Sequence, residues 1–277
     1  MSTTATASER PPGADSPRAE LRIEHAWKSF GHVSAVRDVS LQVQGGEVLA
    51  IVGDNGAGKS TLVKLLSGVY PLDSGELYVD GERIEKADPR RARSHGVSTV
   101  FQDLAIVETL DIAANMFLGQ PLRRFGVFAA RKQMLAQSAE ILRDLKVRIP
   151  SVRVPAGELS GGQRQGVAIA RAVRQDNPII LMDEPTAALG VRETAQVAEI
   201  IRTLKSRGKA VILVCHDLEF IFEVADRIHV LRLGATQGVR TVADTDRSEI
   251  VALITGAMAA DGDDSHTARP EDSQEQE

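Results

Sequence analysis

Gly53-Asp54-Asn55-Gly56-Ala57-Gly58-Lys59-Ser60-Thr61, coming directly after Val48-Leu49-Ala50-Ile51-Val52, decides how this chain is read. The apolar run is short, rich in β-branched residues and closed by glycine, which predicts a buried strand. Beyond the loop, Leu62, Leu65, Leu66 and Val69 recur at helical spacing. Strand, glycine loop and helix in that order are the setting in which GxxxxGK(S/T) cradles nucleotide phosphates. A Gly-rich turn entering an ordinary helix is the plainer alternative, and the presence of both flanking elements argues against it. The loop has to curl with its N–H groups inward, and Gly53, Gly56 and Gly58 leave phosphate oxygens room to approach. The helix N-terminus adds its positive end at the same point. Lys59 is expected to reach the β and γ phosphates, Ser60 to place its hydroxyl on a magnesium ion and Thr61 to hold the α phosphate, with Asp54, Asn55 and Ala57 completing the cradle.

A chain of 277 residues with 43% apolar content has enough material for one or two domains with a core. No stretch approaches the roughly 18 uncharged apolar residues of a membrane span, and the N-terminus lacks the pattern of a signal peptide, so a cytosolic protein is expected. The net charge of −5 is mild, and Asp261, Asp263, Asp264, Glu271, Asp272, Glu275 and Glu277 carry much of it. The body is left near neutral, without the basic footprint of a nucleic-acid partner. Cys215 is the only cysteine. It precedes His216 on an expected strand, where neighbouring side chains point to opposite faces, so the two do not form a nucleophilic pair and Cys215 reads as inert packing.

Residues 1–19 and 259–277 have almost nothing to bury and are expected to be disordered, which leaves one domain over residues 20–258. Within it, residues 21–52 read as short strands and turns, residues 75–84 as a hairpin and residues 97–102 as a strand. A helical insert is expected over about residues 104–160, with residues 131–145 its clearest amphipathic stretch. Strands return at residues 179–182 and 210–214, separated by a helix over residues 192–207 that stops at Gly208. A hairpin at residues 227–243 and a helix at residues 247–254 close the domain. Strand and helix in alternation predict an α/β fold with a mostly parallel, helix-covered sheet.

A magnesium-nucleotide site needs a second carboxylate and a group that prepares the attacking water. Ile179-Ile180-Leu181-Met182-Asp183-Glu184 offers both. Asp183 falls at the carboxyl end of a buried strand, where such sheets bind ligands, and is expected to coordinate the ion through water; Glu184 follows as general base. Leu159-Ser160-Gly161-Gly162-Gln163 opens another helix. Ser160 is placed as an N-cap, and the two glycines again offer N–H groups to an anion.

GDNGAGKST, LSGGQ and LMDEP, in this order and spacing, resemble the nucleotide-binding subunit of an ABC transporter over roughly residues 21–257. The resemblance implies a P-loop NTPase core with a mostly parallel sheet, an antiparallel β subdomain and the helical insert. In that family LSGGQ of one cassette faces the phosphate loop of another. Ser160 and Gly162, flanked by Gly161 and Gln163, are therefore expected to meet the γ phosphate held by a second copy. Gln102 matches a glutamine that senses the γ phosphate beside the metal, and His216 a histidine that donates to it. Phe30, with Val36 beside it, matches the aromatic that stacks on adenine; Trp27 is the alternative, and either is also a candidate core residue. The implied ligands are ATP and Mg2+. The implied partners are a second copy, membrane permease subunits that hold the chain at the inner face of the membrane and, through them, a sugar-binding protein.

One position departs from the pattern: Ala187-Ala188-Leu189 is followed by Gly190 where the family usually has an Asp that helps connect the two sites. That variant, together with VETLDIAANMFLG at residues 107–119, residues 219–226 and the closing residues 249–256, is similar to the branch that imports monosaccharides. An ATPase subunit powering sugar import is the leading expectation. The alternatives are a subunit of a multi-subunit exporter and, less favoured, a soluble ABC protein acting on ribosomes or DNA.

Overall fold

The computed structural model of the chain describes residues 20–85, 88–124 and 128–260. The expected disorder of residues 1–19 and of the acidic tail from residue 261 onward lies outside the described residues.

Two long antiparallel strands come first, β1 (Glu20–Phe30) and β2 (Val33–Gln44), followed by β3 (Val48–Val52) and the loop that leads into α1 (Lys59–Leu66). β4 (Ser74–Val79) and β5 (Glu82–Arg83) form the expected hairpin, and α2 (Pro89–Ser94) leads to β6 (Val97–Val100). The insert contains α3 (Ile112–Met116), a two-residue pair β7 (Arg123–Arg124) and β8 (Phe128–Ala129), and α4 (Arg131–Asp144). Then come α5 (Gly161–Val173), β9 (Ile179–Asp183), α6 (Val191–Ser206), β10 (Ala210–Val214) and α7 (Leu218–Val224). β11 (Arg227–Arg232), β12 (Ala235–Thr241) and α8 (Arg247–Thr255) finish the domain.

The main sheet has the order β12-β11-β3-β10-β9-β6, and every pair except β11–β12 is parallel. β3, β9 and β10 are buried along their whole length, as strands covered on both faces must be, and this is why their sequences are unbroken apolar runs. Alternate residues serve different cores. Val48, Ala50, Val52, Val211 and Leu213 pack on the side of α5, α6 and α7, while Leu49, Ile51, Ile212 and Val214 pack on the side of α1 and the second sheet, β2-β1-β4-β5. At eight residues α1 is shorter than the roughly 12 needed for marginal stability in isolation, so burial of Leu62, Val63, Leu65 and Leu66 holds it in place.

Parallel pairing fixes where function sits. Ile51, Val214 and Asp183 stand in register across three neighbouring strands, and Val100 pairs with Met182. The carboxyl ends of β3, β10, β9 and β6 therefore open side by side, and the residues that follow them share one edge.

The structure changes several expectations. Residues 21–52 hold strands of 11 and 12 residues rather than short ones. Register shifts within β1–β2, and left-handed backbone at His25 (φ 48°) and Asp38 (φ 52°), interrupt the alternation by which a long strand is recognised. The closing hairpin joins the main sheet, where β11 lies parallel to β3. α2 and α7 were not expected, although both carry a legible start. Asp88 accepts from the Arg90 N–H ahead of Pro89, and Asp217 accepts from the N–H groups of Glu219 and Phe220.

Candidate functional site

The chain between β3 and α1 passes so close to its neighbours that side chains are excluded. A Cβ on Gly53 would lie 2.1 Å from the Leu231 carbonyl oxygen, and one on Gly58 would lie 2.3 Å from that of Ala35; both glycines have positive φ, 152° and 101°. No side chain caps α1, so its first N–H groups are free to meet an anion. The Lys59 ammonium folds over the loop and donates to the carbonyl oxygens of Gly53 (2.7 Å) and Asp54 (2.9 Å). Burial pushes its pKa below the ordinary lysine value, against the opposing pull of the Glu184, Asp54 and Asp183 carboxylates.

These residues line an open cavity of about 550 Å³. Asn55 to Thr61 form one wall, and Gln102, Glu184, Ala187 and His216 arrive from the ends of β6, β9 and β10. Val33, Ser34 and Ala35, which sequence reasoning missed, form another part of the lining. Their signal is position: they follow the turn after Phe30, and Val33 pairs directly with it. A larger cavity of about 740 Å³ lies elsewhere, between α4 and residues 146–152, and contains none of the candidate site residues.

Asp183 sits at the end of β9 and is buried. Burial pushes its carboxyl above the ordinary value, with the charge of Glu184 adding to the shift and Lys64 and Lys59 opposing it. Its Oδ1 is buried and has no hydrogen-bond partner. An orphaned acceptor of this kind is costly unless something else satisfies it. A magnesium ion with its bound water fits that need, with Ser60 exposed at the start of α1 and Gln102 in the same cavity.

Glu184 has a left-handed backbone, φ 51°, a conformation that costs a residue with a side chain about 1–2 kcal/mol. Strain of this kind is concentrated at functional sites. The conformation is held by the Glu184 N–H donating to Val214 O at 2.8 Å across the sheet. Its side chain is 15% exposed, and Oε2 lies 2.8 Å from Nδ1 of His216, whose own side chain is 71% exposed. The sequence placed both residues near the phosphates but gave no sign that they touch each other. Cys215 is buried, with its sulfur 3.4 Å from Thr186 Oγ1, and burial raises its thiol pKa, as fits a packing residue.

Phe30 and Trp27 are both partly exposed, at 45% and 41%. Phe30 packs edge-on against Tyr70 with ring centroids 5.2 Å apart, at the strand end that feeds Val33 into the cavity. Trp27 pairs with Ser74 on β4, farther back along the strand. Val36, expected beside the aromatic at the base, is instead fully buried in the core shared with α1 and does not line the cavity. Ala35, on the opposite face of the strand, lines the cavity in its place.

Ser160, Gly161, Gly162 and Gln163 do not join this cavity. Ser160 caps α5 and accepts from the Gln163 N–H, while Gln163 Oε1 accepts from the Ser160 N–H (2.9 Å) and its Nε2 donates to Arg148 O (2.9 Å). The Gln163 side chain thus has structural work in the capping box. Ser160 and Gly161 are exposed at the helix start.

Phosphate cradle, orphaned carboxylate, poised acid and a second glycine-marked helix start together define an ATP-binding cassette. Residues 36–187 match the family described as ABC transporter, and the chain belongs to that family as an ABC-type ATPase. It is 43% identical over 235 residues to the xylose/arabinose import ATP-binding protein XylG of Sulfolobus acidocaldarius, covering 85% of this chain and 93% of that protein. It is 42% identical to the fructose import ATP-binding protein FrcA of Rhizobium meliloti, covering 83% and 91%. The ribose import protein RbsA of Bacillus licheniformis is 39% identical, and this chain spans only 48% of its length. Among solved structures, the ADP form of an ATP-binding cassette of an ABC transporter superposes with a TM-score of 0.72 at 26% identity, covering 86% of this chain and 95% of that one. A dimeric post-hydrolysis cassette bound to ADP and phosphate gives 0.69 at 26% identity, covering 80% and 98%.

Proposed function

We propose that this chain is the ATP-hydrolysing subunit of an importer for a simple sugar, working as a pair of facing copies attached to membrane permease subunits. The observation that carries the ATPase reading is the cavity that unites Lys59, Ser60, Gln102, Glu184 and His216 at one sheet edge. The importer reading rests on relatives of 42–43% identity that are named as sugar import ATP-binding proteins and are matched over nearly their whole length. No helix among the described residues is long and apolar enough to cross a membrane, which fits a subunit that borrows its membrane path from partners.

In this reading the loop N–H groups and Lys59 hold the ATP phosphates, Lys59 exchanging its two carbonyl partners for phosphate oxygens. Ser60, Asp183 and Gln102 would hold a magnesium ion, which supplies charge neutralisation on the phosphates when bound. Glu184 takes a proton from the attacking water. His216 orients Glu184 through Nδ1, which leaves Nε2 for the γ phosphate. Phe30 stacks on the base. Ser160 and Gly162 of one copy close over the γ phosphate held by the other, and loss of that phosphate reopens the pair.

Deleting the gene is expected to abolish uptake of one labelled monosaccharide among xylose, arabinose, fructose and ribose, and to be rescued by the wild-type gene but not by Lys59→Ala. Unchanged uptake of every simple sugar, with a defect in efflux, would move the chain to an exporter.

Gln102 follows β6 at the boundary between the cavity and the insert. Gln102→Ala in the assembled transporter is expected to lower transport by more than it lowers ATP affinity, because the residue joins the phosphate site to the part that meets the permease. Parallel titrations of ATP binding and vesicle uptake measure both quantities, and equal losses would reduce Gln102 to a simple ligand.

A further inference from the structure

Within one chain, the turn that carries Glu184 touches the start of α5. A Cβ placed on Gly161 would lie 3.3 Å from Leu189 Cδ2. One placed on Gly162 would lie 2.3 Å from Glu193 Cγ and 2.6 Å from Glu193 Cβ, so the stem of Glu193 fills the space that any side chain at 162 needs. Farther along the same side chain, Oε2 stands 2.8 Å from the position of a Cβ on Gly190. The carboxylate therefore occupies the place where a side chain at 190 would begin. Gly190 is the N-cap of α6 and provides no side-chain cap, and Glu193 lies in the first turn, where the helix end favours negative charge. Its partly buried carboxylate makes no hydrogen bond or ion pair among the described residues.

The path from Glu184 is short and connected. Ala187 N–H donates to Glu184 O (3.1 Å), Leu189 N–H donates to Thr186 O (3.2 Å), and Thr194 N–H donates to Gly190 O (2.9 Å). Leu189 and Glu193, which meet the glycines at the start of α5, thus lie on one hydrogen-bonded stretch of chain that begins at Glu184. Closely packed elements of this kind are the material through which a shift at one site can bias another.

We propose that Glu193 is a positioning residue that ties the hydrolytic turn of one site to the clamp the same chain presents to the other site, its carboxylate standing where Gly190 has no side chain. This rests on the reading of two facing copies. ATP hydrolysis then couples between sites through Glu193.

The test uses the full chain with Glu193→Gln, Glu193→Ala, Gly190→Asp and the double variant G190D/E193Q. Glu193→Gln keeps the stem against Gly162 and removes only the charge. Its kcat is expected to fall roughly two- to thirtyfold, the range for residues along a coupling path. KM for ATP should change by less than about twofold, because the phosphate cradle is untouched. Gly190 has φ −78° and ψ 171°, which Asp adopts readily; in the double variant the flexible amide end of residue 193 has to swing aside, and the Asp carboxylate then enters the space it leaves and should recover most of the lost kcat. Wild-type kcat in Glu193→Gln overturns the proposal. So does a loss that Gly190→Asp leaves unrepaired, and so does a loss confined to Glu193→Ala, which would show packing alone. Sedimentation of Glu184→Gln with ATP separates the two layers: absence of a dimer overturns the facing-copies reading itself, whereas a dimer alongside an unaffected Glu193→Gln overturns only the role of Glu193.

Discussion

Glu184→Gln is expected to reduce steady ATP hydrolysis by about a hundredfold or more, the scale for loss of a positioned general base, while ATP binding survives. The amide has the size of the carboxylate, and the backbone hydrogen bond to Val214 that holds the strained φ does not involve the side chain. What disappears is the proton acceptor. The neighbouring Asp183 should gain, because the charge of Glu184 is one of the two causes that raise its carboxyl pKa. With that charge removed Asp183 ionises more readily, and the phosphate loop itself is unchanged, so nucleotide binding is expected to persist. ATP should then trap a dimer that gel filtration separates from the monomer. Phosphate release at a near wild-type rate would remove Glu184 from the mechanism.

Mixing two inactive variants should restore activity. Lys59→Ala disables the cradle, and Ser160→Arg blocks the clamp; each pure dimer then has two defective sites. Because Ser160 lies outside the cavity that contains Lys59, each chain gives its cradle to one site and its clamp to the other, so the two defects fall together on a single site when the variants pair. One site of the mixed dimer combines both defects and the other has neither. Random exchange makes about half the dimers mixed, each with one good site of two, so independent sites would recover at most about a quarter of wild-type activity. Cooperative sites give less, and coupling through Glu193 lowers the recovery further. Ser160 also caps α5, so its replacement costs about 1 kcal/mol of stability, which a melting curve monitors. Subunit exchange is verified by pull-down of differently tagged copies. If exchange occurs and activity stays at the sum of the two variants, the sites are either strictly coupled or not shared, and the ATP-trapped Glu184→Gln dimer distinguishes these.

The phosphate loop was legible in the sequence because its chemistry is local. The backbone between Val52 and Lys59 must curl around an anion, so glycine, lysine and hydroxyl residues fall at fixed spacing along nine consecutive positions. The same holds for the apolar strands β3, β9 and β10, whose burial on both faces leaves no room for polar residues. Asp183 and Glu184 were legible for the same reason, standing at the end of such a run. Family resemblance placed Gln102 and His216, which no local rule would have singled out, and added to the N-cap reading of Ser160 its role toward a second copy. The role of Gly190 could be read only as a missing side chain.

Tertiary structure alone decided the rest. Strand order brought Gln102, Glu184 and His216 to one edge, and that order depends on long-range pairing that leaves no trace in any single segment. The contact of His216 with Glu184 is a consequence of neighbouring strand ends, as is the burial of Val36 in place of Ala35, where irregular pairing between β1 and β2 hid the phase of the alternation. Glu193 was invisible because its meaning lies in two glycines distant in sequence, Gly162 and Gly190, whose missing side chains leave the space it fills. Sequence determines chemistry wherever the chain must bind with its own consecutive atoms; packing determines which of those groups meet.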